Sequence, residues 1–282
     1  MNKSRTRDDY SRRLMRVVQL LWQEPARNYS LEQIADVAHF SPFHFHRIYR
    51  EMMGETVTAT QQRLRLHFAS RDLAQASDWS LLRIAQRAGY QSSAAFVRSF
   101  AAAYGVTPGA YRRQRWQDLQ FKINQEMDMY TVEFRTLAAP IHLATRRHRG
   151  AYLQIGEAFS LLQLALQAQV APDARWFGLY FDDPKTVAEG QLRSDAAVEI
   201  KGTASLPADI GQAQIPAARY AVIEHIGPYS ELERAYHWLF GVWLPQSGEQ
   251  AASVPTIEQY LNDPSNTPPK DLRTEIWLAL VD

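Results

Sequence analysis

The sequence predicts a multidomain protein of the α and α+β classes. An all-α double helix-turn-helix domain at residues 1–118 precedes a duplicated α+β domain at residues 129–282. Three observations predict this architecture: a reversal of charge along the chain, an internal repeat in the first part, and a different repeat in the second. The chain has 282 residues, of which 46% are hydrophobic and 22% charged, as expected for globular domains with buried cores.

The charge reversal separates a basic segment from an acidic one. Residues 1–118 carry 18 Lys and Arg against 10 Asp and Glu, whereas the following 164 residues carry 13 against 20. The overall net charge of +1 therefore combines a segment of +8 with one of −7. Excess positive charge favours a polyanion as the partner of the first segment and a different task for the acidic segment.

Composition also limits the class of protein. The chain has no cysteine, which excludes a disulfide-stapled fold, a thiolate metal site and a cysteine nucleophile. Its first thirteen residues lack the apolar run of a signal peptide, and apolar runs such as residues 238–244 are shorter than the roughly 18–20 residues of a membrane span. We therefore expect a cytoplasmic protein with no membrane partner and no cofactor.

The basic part contains the same unit of sequence twice. Ser30-Leu31-x-x-Ile34-Ala35-x-x-Ala38-x-Phe40 recurs fifty residues later as Ser80-Leu81-x-x-Ile84-Ala85-x-x-Ala88-x-Tyr90, and matches continue beyond it at a spacing of 51. Each copy combines a serine N-cap with apolar residues at helical spacing, which predicts a short helix, a tight turn and a second helix. Between the copies, residues 58–76 are expected to form one continuous helix.

The second helix of each copy is the candidate for nucleic-acid contact. It is expected to begin after Ser41 or Ser92 and to end near Gly54 or Gly105. In the first copy the predicted buried face has Phe45, Ile48, Tyr49 and Met52, and the other faces have His44, His46, Arg47 and Arg50. A cationic helix of this kind fits the major groove of B-DNA. The alternative is a helical bundle whose arginines are only solvated.

The second copy resembles the signature of the AraC/XylS family of transcription regulators. The matching stretch is Ile84-Ala85-x(3)-Gly89-Tyr90-x(5)-Phe96-x(3)-Phe100-x(4)-Gly105-x-Thr107-Pro108-x(2)-Tyr111-Arg112. Residues 10–116 as a whole are similar to that family's paired helix-turn-helix domain, which implies binding to double-stranded DNA in promoter major grooves. The candidate DNA-binding residues are Phe43, His46, Arg47 and Arg50 in the first unit and Ser93, Ala94 and Arg98 in the second.

Two of these candidates require further comment. Ser93 and Ala94 are short, so we expect the second unit to contribute mostly phosphate contacts and Arg98, with sequence discrimination mainly in the first unit. Phe43 is expected to pack on a thymine methyl group, or alternatively to be a staple at the start of its helix. The neighbouring histidines do not predict a metal site, because positions 44 and 46 diverge by about 200° on a helix.

The acidic part is also duplicated. His148-x-Gly150-x-Tyr152 recurs as His225-x-Gly227-x-Tyr229, Tyr180-x-Asp182-Asp183-Pro184 as Tyr260-x-Asn262-Asp263-Pro264, and Val198-Glu199-Ile200 is matched with Thr274-Glu275-Ile276. Alternating patterns predict strands at residues 130–134, 196–200, 220–225 and 272–280, and two helical stretches are expected at residues 154–169 and 230–242. We expect two α+β units related by an approximate two-fold axis, with a groove between them.

The last predicted strand suggests a ligand site. Glu275 and Trp277 share one face of it, and the other face is apolar. Aromatic faces attract cations by roughly 0.5–2 kcal/mol each, and the aromatic residues that could complete the site are Tyr152, Trp176, Tyr180, Tyr229 and Tyr260. The alternative is that these aromatics are core residues and that Glu275 pairs with Arg273 or faces water.

The same part resembles the GyrI-like effector-binding domain. The elements His225-x-Gly227-Pro228-Tyr229 and Leu272-Arg273-Thr274-Glu275-Ile276-Trp277-Leu278 carry the resemblance, which covers residues 129–282. Together the two domains are similar to Rob-type regulators of the AraC/XylS family. The resemblance implies a groove lined by Glu275, a small lipophilic or cationic effector, and RNA polymerase as the partner for activation. We expect no enzyme, although a hydrolase using Glu275 as general base and a ligand-free docking module remain alternatives.

Overall fold

The computed structural model describes residues 3–75, 78–120, 129–166, 169–200 and 206–281. The chain divides into two compact units, a helical one built mainly from the first 120 residues and a sheet unit built mainly from residues beyond 129. The predicted boundary falls mostly at residues 121–128, outside the described residues, so its position stays a prediction. Among the described residues, no helix combines the length and apolar character required to cross a bilayer.

Seven helices make up the described part of the helical unit. They are α1 (Lys3–Gln23), α2 (Leu31–Val37), α3 (Pro42–Met53), α4 (Val57–Gln75), α5 (Leu81–Arg87), α6 (Ser93–Tyr104) and α7 (Pro108–Gln120). The side chains of Ser30, Ser41, Ser80 and Ser92 each accept a hydrogen bond from the backbone N–H three residues later, which confirms the four predicted helix starts. The predicted connecting helix is α4, although its last predicted residue, 76, lies outside the described residues.

The two helix pairs have similar turns and similar cores. Gly54 and Gly105 end α3 and α6 with a φ of 76°, as the sequence predicts. Phe45 and Tyr49 are fully buried on the predicted inner face of α3, and Ile48 and Met52 are partly buried beside them. In the second pair, the ring of Phe100 stacks on that of Tyr104 at 4.2 Å within a cluster of α4–α7 residues. Burial of such side chains stabilises each pair by about 1.5–3 kcal/mol per residue.

The sheet unit contains one antiparallel sheet of eight strands. They are β1 (Glu133–Thr136), β2 (Ile141–Arg149), β3 (Trp176–Tyr180), β4 (Arg193–Glu199), β5 (Gly211–Ile215), β6 (Arg219–Ile226), β7 (Thr256–Tyr260) and β8 (Arg273–Ala279), in the order β1-β6-β8-β7-β3-β4-β2-β5. The helices are α8 (Gly156–Leu166), α9 (Leu232–Trp238) and α10 (Leu244–Ser247), and a π-helical turn at Leu239–Trp243 joins the last two.

The sheet order shows the duplication. Strands β2 to β4 with α8 repeat as β6 to β8 with α9, and the two halves meet where β3 pairs with β7. Tyr180 pairs with Ser194 across β3 and β4, as Tyr260 pairs with Thr274 across β7 and β8. The repeat therefore keeps an offset of 80, and Asp195 rather than Glu199 is the counterpart of Glu275. This corrects the sequence match of residues 198–200 with 274–276.

The sheet separates two apolar layers. On the helix side, α8 packs on β2 and β4 and α9 packs on β6, and these contacts bury Leu162 and Trp238. On the opposite side, Phe177, Tyr220 and Trp277 form a second cluster of buried residues. The sequence predicts a groove between the two halves. Because the halves share one sheet and meet at the β3–β7 pair, the candidate groove is the helix-side surface of that pair.

Candidate functional site

A carboxylate lies buried at the junction of the two halves. Glu258 of β7 pairs with Gly178 of β3 in the sheet and is only 3% exposed. Tyr236 Oη donates a hydrogen bond to its Oε1 at 2.8 Å, and Tyr260 Oη donates to its Oε2 at 2.8 Å. Tyr180 Oη lies 2.7 Å from Tyr260 Oη. Hydroxyl groups from α9, β7 and β3 therefore converge on a single carboxylate, which we call the Glu258 cluster together with its aromatic neighbours.

Gly178 provides the space for this convergence. A Cβ atom at this position would lie 2.7 Å from Tyr180 Cε2 and 2.9 Å from Tyr260 Oη. Gly178 is also the counterpart of Glu258 in the repeat, and Phe159 of α8 is the counterpart of Tyr236. The approximate two-fold symmetry is therefore broken at the centre of the unit. The second half has the carboxylate and the hydroxyl donor, whereas the first half has a glycine and a phenylalanine at the matching positions.

Aromatic rings surround the carboxylate. The rings of Tyr152 and Tyr180 meet edge-on at 4.8 Å, and those of Tyr229 and Tyr260 at 5.5 Å. Phe159 lies 5.2 Å from Tyr260 and 6.1 Å from Trp176. The structure thus brings together all five of the aromatic residues predicted from the sequence, Tyr152, Trp176, Tyr180, Tyr229 and Tyr260. Tyr180 is buried, and the other four are partly exposed.

The environment of Glu258 disfavours its negative charge. Burial raises the pKa of the Glu258 carboxyl, although the tyrosine hydroxyl groups that donate to it oppose this effect. Burial, followed by the nearby charge of Glu258, also raises the pKa values of Tyr180, Tyr236 and Tyr260 well above that of free tyrosine. Within the described part of the chain, no Lys, Arg or His forms an ion pair with Glu258. A bound cation would supply the missing partner.

Glu275 and Trp277 lie on the other face of the sheet. Arg135 of β1 binds the Glu275 carboxylate through two nitrogens at 2.8 and 3.2 Å, and Trp277 Nε1 donates to the same carboxylate at 2.9 Å. The indole of Trp277 is 1% exposed and packs 5.5 Å from the ring of Tyr220. These two residues are part of a structural ion pair and its supporting core, on the face of the sheet opposite to the Glu258 cluster.

The prediction of one site containing Glu275, Trp277 and the tyrosines is therefore corrected. In the sheet Glu258 pairs with Ile276, so Glu258 shares a face with Ile276, and Glu275 and Trp277 point to the opposite face. The proposed alternative partner, Arg273, instead pairs with Glu224. The sequence signal for Glu258 was its position two residues before Tyr260, which puts both side chains on one face of a strand.

The candidate DNA-binding residues lie at the surface of the helical unit. Phe43 is 64% exposed, and His46, Arg47 and Arg50 are exposed along α3. The Arg47 guanidinium lies 4.5 Å from the centre of the Phe43 ring, so this ring packs on arginine rather than in the core. That contact disfavours the staple interpretation of Phe43 and supports the arginine in an extended, outward position.

The second helix pair presents a barer surface. Ala94 and Arg98 are exposed on α6, and Ser93 is partly buried at its first turn. In the repeat, Ala94 and Arg98 are the counterparts of Phe43 and Arg47, so Arg98 has no ring beneath it. Among the described residues, neither Arg47 nor Arg98 forms an ion pair, which leaves both guanidinium groups available to an external anion or base edge.

Comparisons with known families agree with both units. Residues 34–114 match the model of a helix-turn-helix domain, and residues 130–281 match that of the GyrI-like small molecule binding domain. These matches confirm the predicted fold class, a helical paired helix-turn-helix domain of AraC type followed by a GyrI-like α+β domain.

Individual relatives match one unit each. The RCS-specific HTH-type transcriptional activator RclR of Escherichia coli is 31% identical over 102 residues, which are 36% of this chain and 36% of the relative. A DNA gyrase inhibitor of Yersinia enterocolitica is 30% identical over 149 residues, 51% of this chain and 88% of the relative. The chain spans about a third of the length of the first curated relatives that it matches.

A solved structure aligns with both units at low identity. The cryo-EM structure of an EcmrR–DNA complex has a TM-score of 0.49 and 19% identity, and covers 90% of this chain and 85% of its own. The crystal structure of the EcmrR C-terminal domain has a TM-score of 0.46 and 19% identity, over 55% of this chain and 99% of its own.

Proposed function

The chain belongs to the family of GyrI-like small molecule binding domains, and we propose that it is a DNA-binding transcription regulator that senses a small lipophilic cation. The helical unit, with its AraC-type helix-turn-helix match, supports the DNA-binding role. The sensing role rests on one observation, which is that Glu258 is buried among aromatic rings without a cationic partner among the described residues.

The chemistry of the Glu258 cluster favours one class of ligand. A planar or polycyclic cation would place apolar area against Tyr152, Phe159 and Tyr229 and its charge near the carboxylate. Each ring face that meets a desolvated cation contributes up to about 2 kcal/mol, and the carboxylate adds a charge interaction in a site of low polarity. A neutral ligand of the same shape would gain only the apolar contacts.

Two probes of nearly equal shape test this proposal. Calorimetric titration of the full chain with N-methylacridinium and with neutral acridine at pH 8 compares charged and neutral ligands. We expect Glu258→Gln to weaken binding of the cation at least tenfold and to leave that of acridine within about twofold. Glu275→Gln is the matched control and should leave both affinities unchanged, because Glu275 lies on the other face of the sheet. If Glu275→Gln weakened binding of the cation and Glu258→Gln did not, the ligand site would be assigned to Glu275.

For DNA, we propose that Phe43, His46, Arg47 and Arg50 contact the major groove and that Arg98, beside Ser93 and Ala94, contributes mainly to phosphate binding. The free guanidinium of Arg47, held over the Phe43 ring, supports a role in reading guanine. A bidentate arginine–guanine contact discriminates by about 1–3 kcal/mol.

The DNA assignment can be tested with sites selected from a random duplex pool by the full chain. We expect Arg47→Ala to weaken binding to a selected site about tenfold more than to random duplex. The control is Arg83→Ala, which removes an exposed guanidinium of α5 that stacks on the Trp79 ring. It should change the affinity for both duplexes equally. Equal losses with Arg47→Ala would contradict its role in base recognition.

Activation through RNA polymerase is the finer part of the proposal. It rests on the resemblance to AraC/XylS regulators and on the activator among the relatives of the helical unit. Transcription in vitro from a promoter containing a selected site, with and without the chain, would measure it. Increased transcript supports activation, and decreased transcript would identify a repressor.

The two alternatives for the sheet unit have less support. A general base needs an unencumbered carboxylate oxygen, whereas both oxygens of Glu275 accept hydrogen bonds from Arg135. In a ligand-free docking module, no cation would compensate for the unfavourable burial of the Glu258 carboxylate. If neither acridine probe and no other lipophilic cation bound the chain, the docking interpretation would be favoured.

A further inference from the structure

Strand β1 forms one end of the eight-stranded sheet. It pairs with β6, and in the described residues no strand lies on its other side. Three of its four residues, Glu133, Phe134 and Thr136, are exposed. An exposed strand edge carries backbone N–H and C=O groups that can pair with another strand.

The hydrogen-bond pattern identifies which backbone groups face outwards. Leu137 N–H donates to Ala218 C=O at 3.0 Å, so these residues form a hydrogen-bonded pair between the end of β1 and β6. The pattern of an antiparallel ladder alternates. Arg135 therefore also bonds to β6, whereas the backbone groups of Phe134 and Thr136 point away from the sheet.

The exposed edge also carries an aromatic side chain. Phe134 is 52% exposed, although the ring of Trp243 lies 6.2 Å away and the Arg219 guanidinium lies 5.3 Å from its centre. On the other face of the strand, Arg135 Nη2 lies 2.9 Å from Glu133 Oε2 of the same chain, and the Glu133 side chain is 65% exposed. Arg135, 29% exposed, also pairs with Glu275. An apolar residue thus stands between an acidic and a basic one.

We propose that β1 is an interface with a second copy of this chain. A two-fold axis perpendicular to the sheet at Phe134 pairs this residue with itself and joins its outward N–H and C=O groups in two hydrogen bonds. In the same register, Glu133 of each copy stands opposite Arg135 of the other, so the Glu133–Arg135 ion pairs of the two copies lie side by side with opposite charges facing. Registers centred on Arg135 or on Thr136 use outward backbone groups too, but the first places two arginines opposite each other and the second creates no charge pair. The self-complementary sequence therefore selects one pairing, independently of whether the chain binds DNA or a ligand.

Sedimentation velocity of the full chain over a range of concentrations tests the interface. We expect a reversible monomer–dimer equilibrium that Phe134→Glu weakens at least tenfold, because it puts two carboxylates at the axis. Ile226→Glu is the matched control, since Ile226 is 64% exposed on β6 beyond the residues that pair with β1. It should leave the equilibrium unchanged. A wild-type chain that stays monomeric, or a dimer that Phe134→Glu leaves intact, would overturn the proposal.

Cysteine substitution tests the register. The chain has no cysteine, so any disulfide joins two copies. In the proposed pairing the Cα atoms at position 134 are about 5.5 Å apart, within the usual disulfide range of roughly 4.4–6.8 Å. Those at position 136 are about 14 Å apart, since each residue adds about 3.4 Å. Phe134→Cys should therefore oxidise to a covalent dimer at least tenfold faster than Thr136→Cys. Equal rates would refute this register.

Discussion

At Glu258, the folded chain keeps a carboxylate where its charge is poorly stabilised. Burial disfavours the ionised form, and hydrogen bonds from Tyr236 and Tyr260 compensate only in part. No described cationic residue completes the compensation. Such a group is destabilising for the protein alone, and it becomes favourable when a cation binds beside it. Residues that serve binding at the expense of stability are typical of ligand sites.

This conflict predicts a pH-dependent stability. Because burial raises the pKa of Glu258 above its value of roughly 4.3 in an unfolded chain, the folded protein retains a proton that the unfolded chain releases. The free energy of unfolding therefore falls as pH rises from about 4.3 to the folded-state pKa, and stays reduced above it. We expect Glu258→Gln, which cannot ionise, to be more stable than wild type at pH 8 by roughly 1–3 kcal/mol.

Urea unfolding of the sheet unit, followed by tryptophan fluorescence, measures this difference. It should shrink towards zero below about pH 3.3, one unit under the unfolded-state pKa, where the wild-type carboxyl is protonated in both states. Glu275→Gln is the control and should be less stable than wild type at pH 8, because it disrupts the two-bonded contact with Arg135. A difference between wild type and Glu258→Gln that is constant with pH would contradict the raised pKa.

The residues of the site were only partly predictable from the sequence. Four of the five aromatic positions were found because the tyrosines belong to the repeated motifs, and Trp176 was chosen as another aromatic residue of the same domain. Glu258 was missed, and Glu275 was chosen instead, because alternation within one strand tells which residues share a face and gives no information about which face a neighbouring strand presents. The decisive pairing, Glu258 with Gly178 and Ile276, depends on sheet order.

The turn between the two helices of each pair contains one residue with a positive φ, and this residue differs between the two pairs. The second pair uses Gly89 with a φ of 76°, and the first uses His39 with a φ of 53°. A Cβ at Gly89 would lie 2.3 Å from the backbone oxygen of Ala26, so only glycine fits there. His39 has a side chain in the left-handed region and still satisfies its carbonyl, which accepts a hydrogen bond from Arg13.

A pair of glycine substitutions separates backbone strain from steric contact. Gly54 and Gly89 share a φ of 76°, but nothing lies within 4 Å of a Cβ built at Gly54. Gly54→Ala should therefore reduce the free energy of unfolding by about 1–2 kcal/mol, the penalty of the left-handed conformation alone. Gly89→Ala must also displace the chain at Ala26, so we expect a loss at least 2 kcal/mol greater. Thermal unfolding of the helical unit followed by circular dichroism compares them, and equal losses would exclude the contact as the cause.

Elements differ in how far the sequence predicts them. The helices α2, α3, α5 and α6 were predicted together with their caps, because serine N-caps and C-terminal glycines act locally. Strands at residues 130–134, 196–200, 220–225 and 272–280 correspond to β1, β4, β6 and β8 with shifted ends. Strand β3 was missed because it is buried along most of its length and lacks polar positions. Strand β7 was missed because its buried Glu258 interrupts the apolar pattern. Strand β2 is polar in its second half, and β5 alternates but has the small residues Gly211 and Ala213 on its apolar face, so neither gave a clear strand signal.

At the scale of the whole molecule, the two duplications have different consequences. In the helical unit the copies retain the same outward arginine, as Arg47 and Arg98, so repetition multiplies one kind of contact. In the sheet unit the copies differ at the centre, where Glu258 faces Gly178, so one site forms instead of two. The repeats and the charge reversal made the two-part architecture predictable, whereas the difference between the copies acquired meaning only from the sheet pairing.

The proposed regulator requires that its two units exchange free energy. A ligand changes DNA affinity only if it binds one state of the chain better than another, and the coupling is then reciprocal. We expect N-methylacridinium to change the affinity for a selected DNA site by about 5- to 150-fold, and that DNA to change the affinity for the cation by the same factor. Fluorescence anisotropy with labelled duplex and calorimetry of the chain–DNA complex give the two values. Glu258→Gln should abolish both effects at probe concentrations that saturate wild type, and Glu275→Gln should retain them. If DNA affinity stays constant while the cation binds tightly, the sheet unit is a binding module without control over the helical one.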